Sequence, residues 1–473
     1  MEVVYRTAGE LAHLVRSRAL SAREVVAAHL DQVERANPPV NAIVTLTAER
    51  ALAQARAADE RLAGGAEVGP LHGIVVVHKD THDTEGVRTT YGSPVFADHV
   101  PDRDELVVAR LRAAGAISIG KSNVPEFGAG SHTFNPVFGA TRNPYAPDRS
   151  AGGSSGGAAA ALAAGMCALA EGSDMGGSLR NPASFCNVVG FRPSPGRVPS
   201  WPSRAPWSTM TVQGPLARTV ADAALLLSVL AGPDPRSPIA LEAPGAPFAE
   251  PLDPDLSGLR VAWTPDLGGM IPVDPEVAAV LAATPTVLTG LGCRVEPDSP
   301  DLSGADEVFR TLRAWQFELT HGELLDRHPH LLKPTLRDNI AAGRRLTGPE
   351  VGRAHVLHAA LHERVCEFFT RYDVLVLPVS QVAPFPVELE YPTEIAGQPM
   401  SDYLEWMRSA YLISVTGCPA LSVPAGFTPA GLPVGLQIVT APRADRLALR
   451  VGHAVEVATG FGRRRPETSR SRS

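Results

Sequence analysis

Residues Ser150 to Pro199 read SAGGSSGGAAAALAAGMCALAEGSDMGGSLRNPASFCNVVGFRPSPGRVP. Two glycine-flanked serine clusters, Gly152 to Gly157 and Gly176 to Ser178, are separated by the Ala-rich helix former Ala158 to Ala164. A flexible linker does not run into a packed helix and an apolar strand. The stretch therefore reads as a loop feeding a helix N-terminus, a helix, and a second loop. Glycine's freedom at φ lets consecutive N–H groups converge on one point, which is the geometry an oxyanion requires.

Working outward, the hydrophobic period alternates between strand and helix. Gly73 to Val77 and Ala116 to Ile119 are short β-branched runs, with a helical pattern from Glu105 to Ala114 between them. Strand runs return at Leu259 to Trp263, Val374 to Leu377, Leu421 to Val423 and Val434 to Val439. This alternation predicts an α/β fold, one large domain with a central β-sheet covered by helices on both faces. Thr7 to Glu10 and Ser21 to Glu24 each read S/T-x-x-E, the signature of a capped helix start, and Thr47 to Leu62 is a further helix. Asp301 to Phe369 is predicted to be mostly helical, and Pro233 to Pro254 an exposed connection. The single domain, 1–473, divides into N-terminal helices (1–65), a core carrying the serine loops (66–235), a partly helical substrate-shaping region (236–410), C-terminal core strands and a helix (411–462), and a basic, disordered tail (463–473).

Apolar residues are 44% and charged residues 20%, an ordinary balance for a globular protein, and the net charge of -7 gives no footing for nucleic acid. No apolar run is long enough to span a membrane, and the N-terminus lacks the pattern of a signal peptide. The five cysteines are scattered and form no CxxC pair. They read as reduced thiols in a cytoplasmic protein without a zinc site. The only lysines are Lys79, Lys121 and Lys333, in a chain whose other basic residues are arginine. A lysine retained in that setting marks a position where the ability to lose a proton matters.

Two short motifs are set aside. Gly115 to Ser122 satisfies GxxxxGK[ST], but its interior, Ala-Ile-Ser-Ile, reads as a strand rather than a phosphate-cradling loop, and Pro125 interrupts the helix that should follow. Gly152 to Gly156 fits GxSxG, but that elbow needs a strand directly before it, and Arg142 to Ser150 is Pro- and Asn-rich and is predicted not to form one. The late histidine, His453, falls within a helical pattern.

The two serine loops, together with Gly73-IVVVHK-Asp80, Gly120-KSNVPE-Phe127, Pro419-ALSVPAG-Phe427 and Gly431-LPVGLQI-Val439, resemble the amidase signature family over nearly the whole chain. The resemblance implies the fold of that family, with a central mixed β-sheet, and a Ser–Ser–Lys triad. Ser178 is then the nucleophile, Ser154 the proton relay and Lys79 the base, with a cis peptide between Gly153 and Ser154. The main-chain N–H groups of Met175, Gly176, Gly177 and Ser178 would form the oxyanion hole, supported by Ser155, Asp174 and Arg180. Ser173 and Met175 depart from the threonines the family often carries there. Chemistry supports the roles. A serine needs a neighbouring base, and a lysine becomes one near neutrality only when burial disfavours its ammonium. His78, next to Lys79 on a strand, is expected on the opposite face and outside the chemistry.

The expected activity is hydrolysis of small-molecule carboxamides, apolar or aryl, with carbamates and esters as related carbonyl substrates. No cofactor, metal, nucleic-acid or membrane partner is expected, and a homodimer stays open. Gly128, Tyr403 and Trp406 are expected to contact substrate. Trp315, Phe317, Tyr391 and Tyr411 are further candidates for the pocket wall, and the segment from Glu388 to Met407 is a candidate cover. Two other function classes remain: a glutaminase component of a tRNA-dependent amidotransferase, and a catalytically silent binding protein.

Overall fold

The aliphatic runs picked out by their β-branched residues assemble into one sheet of eleven strands. The computed structural model describes residues 3–467. Across the sheet the strands run Ile43–Leu46, Ile117–Ser122, Val75–Lys79, Leu169–Asp174, Val212–Ala217, Val189–Arg192, Ala420–Phe427, Pro433–Thr440, Val374–Pro378, Arg260–Trp263 and Arg294–Pro297. Val75–Lys79 is parallel to both of its neighbours. The middle of the sheet is antiparallel, and the far flank is parallel again. Helices pack around it, as the alternating period predicts, and its strand directions are mixed, as the family resemblance implies.

The helix Gly156–Ala163 is wholly buried because it is built of Gly, Ala and Leu. Its close approach to the sheet depends on Gly157. A Cβ there would overlap Asn123 N and lie 2.7 Å from Ala42 O. This packing brings the loop ahead of the helix to the carboxyl end of the strand carrying Lys79. Thr7 and Ser21 both form the expected capping boxes, accepting from Glu10 N and Glu24 N. The helical middle resolves into Ala305–Arg327, Pro334–Arg345 and Gly348–Arg371. The last of these opens on a third capping box, Thr347 with Glu350.

Two expectations are corrected. Arg142 to Ser150 does contain strand: Arg142–Asn143 and Ala146–Ser150 pair as a small antiparallel ribbon. Asn143 stabilises the turn by accepting from Tyr145 N and donating to Phe185 O, which Pro and Asn content alone does not reveal. The start of the basic tail is packed, with Arg464 over the Phe427 ring and Arg465 over Tyr5. Residues 468–473 lie outside the described residues.

Candidate active site

Lys79 ends its strand with no exposed surface, and its Nζ is hydrogen-bonded to Ser154 Oγ at 2.8 Å and to Ser173 Oγ at 3.0 Å. Burial drives the ammonium's pKa down to about 7, against the opposing pull of the Glu171 and Asp174 carboxylates. The peptide between Gly153 and Ser154 is cis. Ser154, Ser178, Met175 and Gly176 line one cavity of about 210 Å³. Ser155 N donates to Ser178 O at 3.1 Å, which holds the two serine loops side by side. The structure thus brings together the three residues the sequence singles out, at the carboxyl ends of the strands Val75–Lys79 and Leu169–Asp174. Open α/β sheets commonly place their sites at this end.

The loop after Leu169–Asp174 is held from below by Asp174. Its carboxylate accepts from Arg180 Nε at 3.0 Å and Nη2 at 2.9 Å, a two-pronged pair with no exposed surface. Arg180 also reaches Ala410 O, Gln437 Oε1 and Ser414 Oγ, fastening the loop to the C-terminal elements. The arginines hold the Asp174 carboxyl well below the usual carboxylate range despite its burial. Asp174 also accepts from Gly177 N at 2.9 Å and Leu179 N at 3.1 Å. This corrects the four-donor oxyanion hole, because the Gly177 N–H is committed to the loop's own anchor. Among the described residues, the N–H groups of Met175, Gly176 and Ser178 donate to no protein acceptor.

Gly128 lines the cavity at φ +68, and a Cβ there would lie 3.3 Å from Ser154 Oγ. Tyr403 and Trp406 do not line it. Tyr403 OH accepts from Arg313 Nη2 and Asn339 Nδ2, both at 2.7 Å, so the ring braces a residue of the wall from behind. Trp406 is buried in the core against Phe185 and Phe385. Its neighbour Met407 takes the place in the wall. Of the other aromatic candidates Phe317 lines the cavity, while Tyr411 lies behind it, stacked on Phe309 at 4.2 Å.

One long stretch of the wall comes from a single helix face, of which the sequence reading named only Phe317. Phe309, Arg313, Gln316, Phe317, Thr320 and His321 all lie on Ala305–Arg327 and all line the cavity. Their spacing of three and four residues is one face of a helix. A face carrying polar and aromatic groups, where the core would ask for aliphatics, is the signal that could have found it. Burial pushes His321 down to about 4, so it is neutral near neutral pH.

Beneath Lys79 lies a second group absent from the sequence reading. Glu171 accepts from the Lys79 backbone N at 3.1 Å and meets His78 Nδ1 at 3.2 Å and His82 Nδ1 at 2.5 Å, all three side chains being buried. Burial would depress His82, but Glu171 and Glu105 outweigh it and its pKa is raised. His78 faces Glu171 and not the serines, in keeping with the expected strand alternation.

The arrangement is a buried amine between the Ser154 and Ser173 hydroxyls, Ser178 in the same cavity, and main-chain N–H groups that have no protein acceptor among the described residues. Comparison with known proteins identifies the family. A family model described as Amidase matches residues 24–449. The chain is 36% identical over 476 residues to an acylamidase of Rhodococcus erythropolis, covering 98% of this chain and 97% of the relative. It is 38% identical over 492 residues to a glutamyl-tRNA(Gln) amidotransferase subunit of Moorella thermoacetica, covering 99% of each. Among solved structures, a bacterial aryl acylamidase of the amidase signature enzymes superposes with a TM-score of 0.91 at 29% identity, over 97% of both chains. A solved glutamyl-tRNA(Gln) amidotransferase subunit from Thermotoga maritima gives 0.75 at 27% identity, over 96% of this chain and 95% of that one. With the family model spanning most of its length and relatives matching it nearly end to end, the chain belongs to the amidase signature family of amide hydrolases.

Proposed function

We propose that the chain is a stand-alone serine amidohydrolase for neutral amides with an apolar or aryl acyl group. Ser178 attacks the carbonyl carbon as Ser154 takes its proton and passes its own to neutral Lys79. The N–H groups of Met175, Gly176 and Ser178 receive the oxyanion, each donor contributing about 3–4 kcal/mol to the transition state. Collapse breaks the C–N bond, and the proton held by Lys79 returns through Ser154 to the departing nitrogen, since an amide anion does not leave unprotonated. Water then repeats the sequence against the acyl-enzyme. The observation that carries this reading is the buried Lys79 Nζ at 2.8 Å from Ser154 Oγ, beside the cavity that holds Ser178.

The glutaminase reading is favoured by the amidotransferase relatives and disfavoured by the cavity. Free glutamine carries an α-carboxylate, which the Arg313 guanidinium suits, and an α-ammonium that needs anionic or several neutral acceptors once desolvated. Among the described residues the wall contains no carboxylate; its one formal charge is Arg313, and Phe127, Phe309, Phe317, Met175 and Met407 supply apolar surface. Steady-state hydrolysis of an aryl amide panel against glutamine tests the choice. The aryl amides are expected to exceed glutamine in kcat/KM by at least about 100-fold, the discrimination typical of an unmatched polar group. Glutamine hydrolysis equal to or above the aryl amides would establish the alternative.

A further inference from the structure

A second chamber of about 220 Å³ adjoins the catalytic cavity, and Thr81, Ser173, Thr211 and Gln316 belong to the walls of both. Its position relative to the chemistry is asymmetric. Ser178, Met175 and Gly176, which the mechanism places at the acyl carbon and its oxygen, line only the first cavity. Ser173, whose Oγ is 3.0 Å from Lys79 Nζ, lines both. Ser154, which hands the proton to the leaving nitrogen, lines the first cavity, and the second chamber begins next to it at Ser173, beside the Lys79 amine, so a tail on that nitrogen can pass Ser173 into the second chamber.

The two chambers also differ in chemistry. Where the first presents aromatic rings and Arg313, the second presents Glu105, His82 and Gln213, and no lysine or arginine among the described residues. Gln213 Nε2 donates to Glu105 at 2.5 Å, while Gln213 Oε1 is buried and has no hydrogen-bond partner among the described residues. A buried acceptor without a donor is costly, by about 1–3 kcal/mol, and calls for an N–H group from elsewhere. His82 is already engaged by Glu171. Beside serine and threonine hydroxyls, which can donate or accept, the chamber offers a ligand two groups that only accept, the Glu105 carboxylate and the unpartnered Gln213 Oε1.

We propose that this chamber is the leaving-amine subsite and that it prefers amines bearing a second ammonium or a similar N–H-rich tail. The inference rests on the serine amidohydrolase reading and adds the class of amine to it. Acyl transfer reads the subsite directly. An amine bound there attacks the acyl-enzyme, its nitrogen forming the new C–N bond as the bond from the carbonyl carbon to Ser178 Oγ breaks. One amine proton passes through Ser154 and Lys79 and ends on Ser178 Oγ.

The test is to load the full-length enzyme from one aryl amide donor and measure partition of the acyl group between water and added 1,3-diaminopropane or n-butylamine, at one mildly alkaline pH. The diamine is expected to capture the acyl group preferentially, and Glu105→Gln to reduce the diamine-to-butylamine ratio about ten-fold, as loss of one desolvated charge contact does. An unaltered ratio overturns the proposal. Should that variant fail to fold, Ala205→Trp decides, because it fills the chamber from its outer loop. Both amines should then lose to water by about ten-fold, and unchanged partition would overturn the proposal. A wild-type enzyme that releases no amine from the donor refutes the amidohydrolase reading itself, and it does so before any amine is added.

Discussion

At the scale of single residues, the account turns on Lys79. In an unfolded chain a lysine keeps its proton to about pH 10.4, whereas in the fold burial brings the value to about 7. The proposed mechanism requires the neutral amine, so kcat/KM is expected to rise with pH through a limb near 7 and to fall away below it. A profile flat from mildly acidic to alkaline pH would contradict this. The same shift has a sign for stability. Between the two pKa values the unfolded state binds the extra proton, so Lys79 makes the fold more stable as pH rises from about 7 toward about 10. Lys79→Met should remove that slope in urea titrations and lower kcat by at least about 10³-fold. These residues were legible in the sequence because rare lysine and glycine-flanked serine are local signals. Ser173 was singled out only as a departure from the family's threonine, because its contact with Lys79 crosses between two strands, a relation that spacing within one segment does not encode.

At the scale of elements, the loop after Leu169–Asp174 is stabilised by the buried Asp174–Arg180 pair, with Arg192 also close to Asp174. Asp174→Asn leaves two buried guanidinium groups short of a carboxylate and is expected to cost about 3–5 kcal/mol in chemical denaturation. The substrate wall shows where sequence reading stopped. The aromatic residues near Tyr403 and Trp406 were candidates by type, but their packing turns Trp406 into the core and sets Tyr403 behind Arg313. Trp406→Ala should therefore cost about 3–5 kcal/mol of stability with the order of acyl substrates unchanged. Phe317→Ala should reorder them, because its ring lines the cavity. A change of ranking in the tryptophan variant and none in the phenylalanine variant would reverse this assignment.

At the scale of the whole molecule, the alternation of periods was enough to predict one sheet with helices on both faces, and the family resemblance implied that it is mixed. It did not give the strand order, because pairing partners far apart in sequence leave no periodic trace. The C-terminal strands Ala420–Phe427 and Pro433–Thr440 are interior members of the sheet, joining Val189–Arg192 on one side to Val374–Pro378 on the other. Removing the chain from Ala420 onward would split the sheet and expose two unpaired apolar edges. Such a truncation is expected to lose cooperative thermal unfolding and to aggregate. A soluble truncated protein with a sharp transition would show that the two flanks fold independently.

The most direct test of the central claim is to treat the enzyme with an aryl fluorophosphonate and locate the adduct by intact mass and peptide mapping. A single adduct on Ser178 is expected, formed with a pH midpoint near 7 that disappears in Lys79→Met. An adduct on any other side chain, or labelling of Ser178 whose rate and pH dependence are untouched by loss of Lys79, would contradict the mechanism.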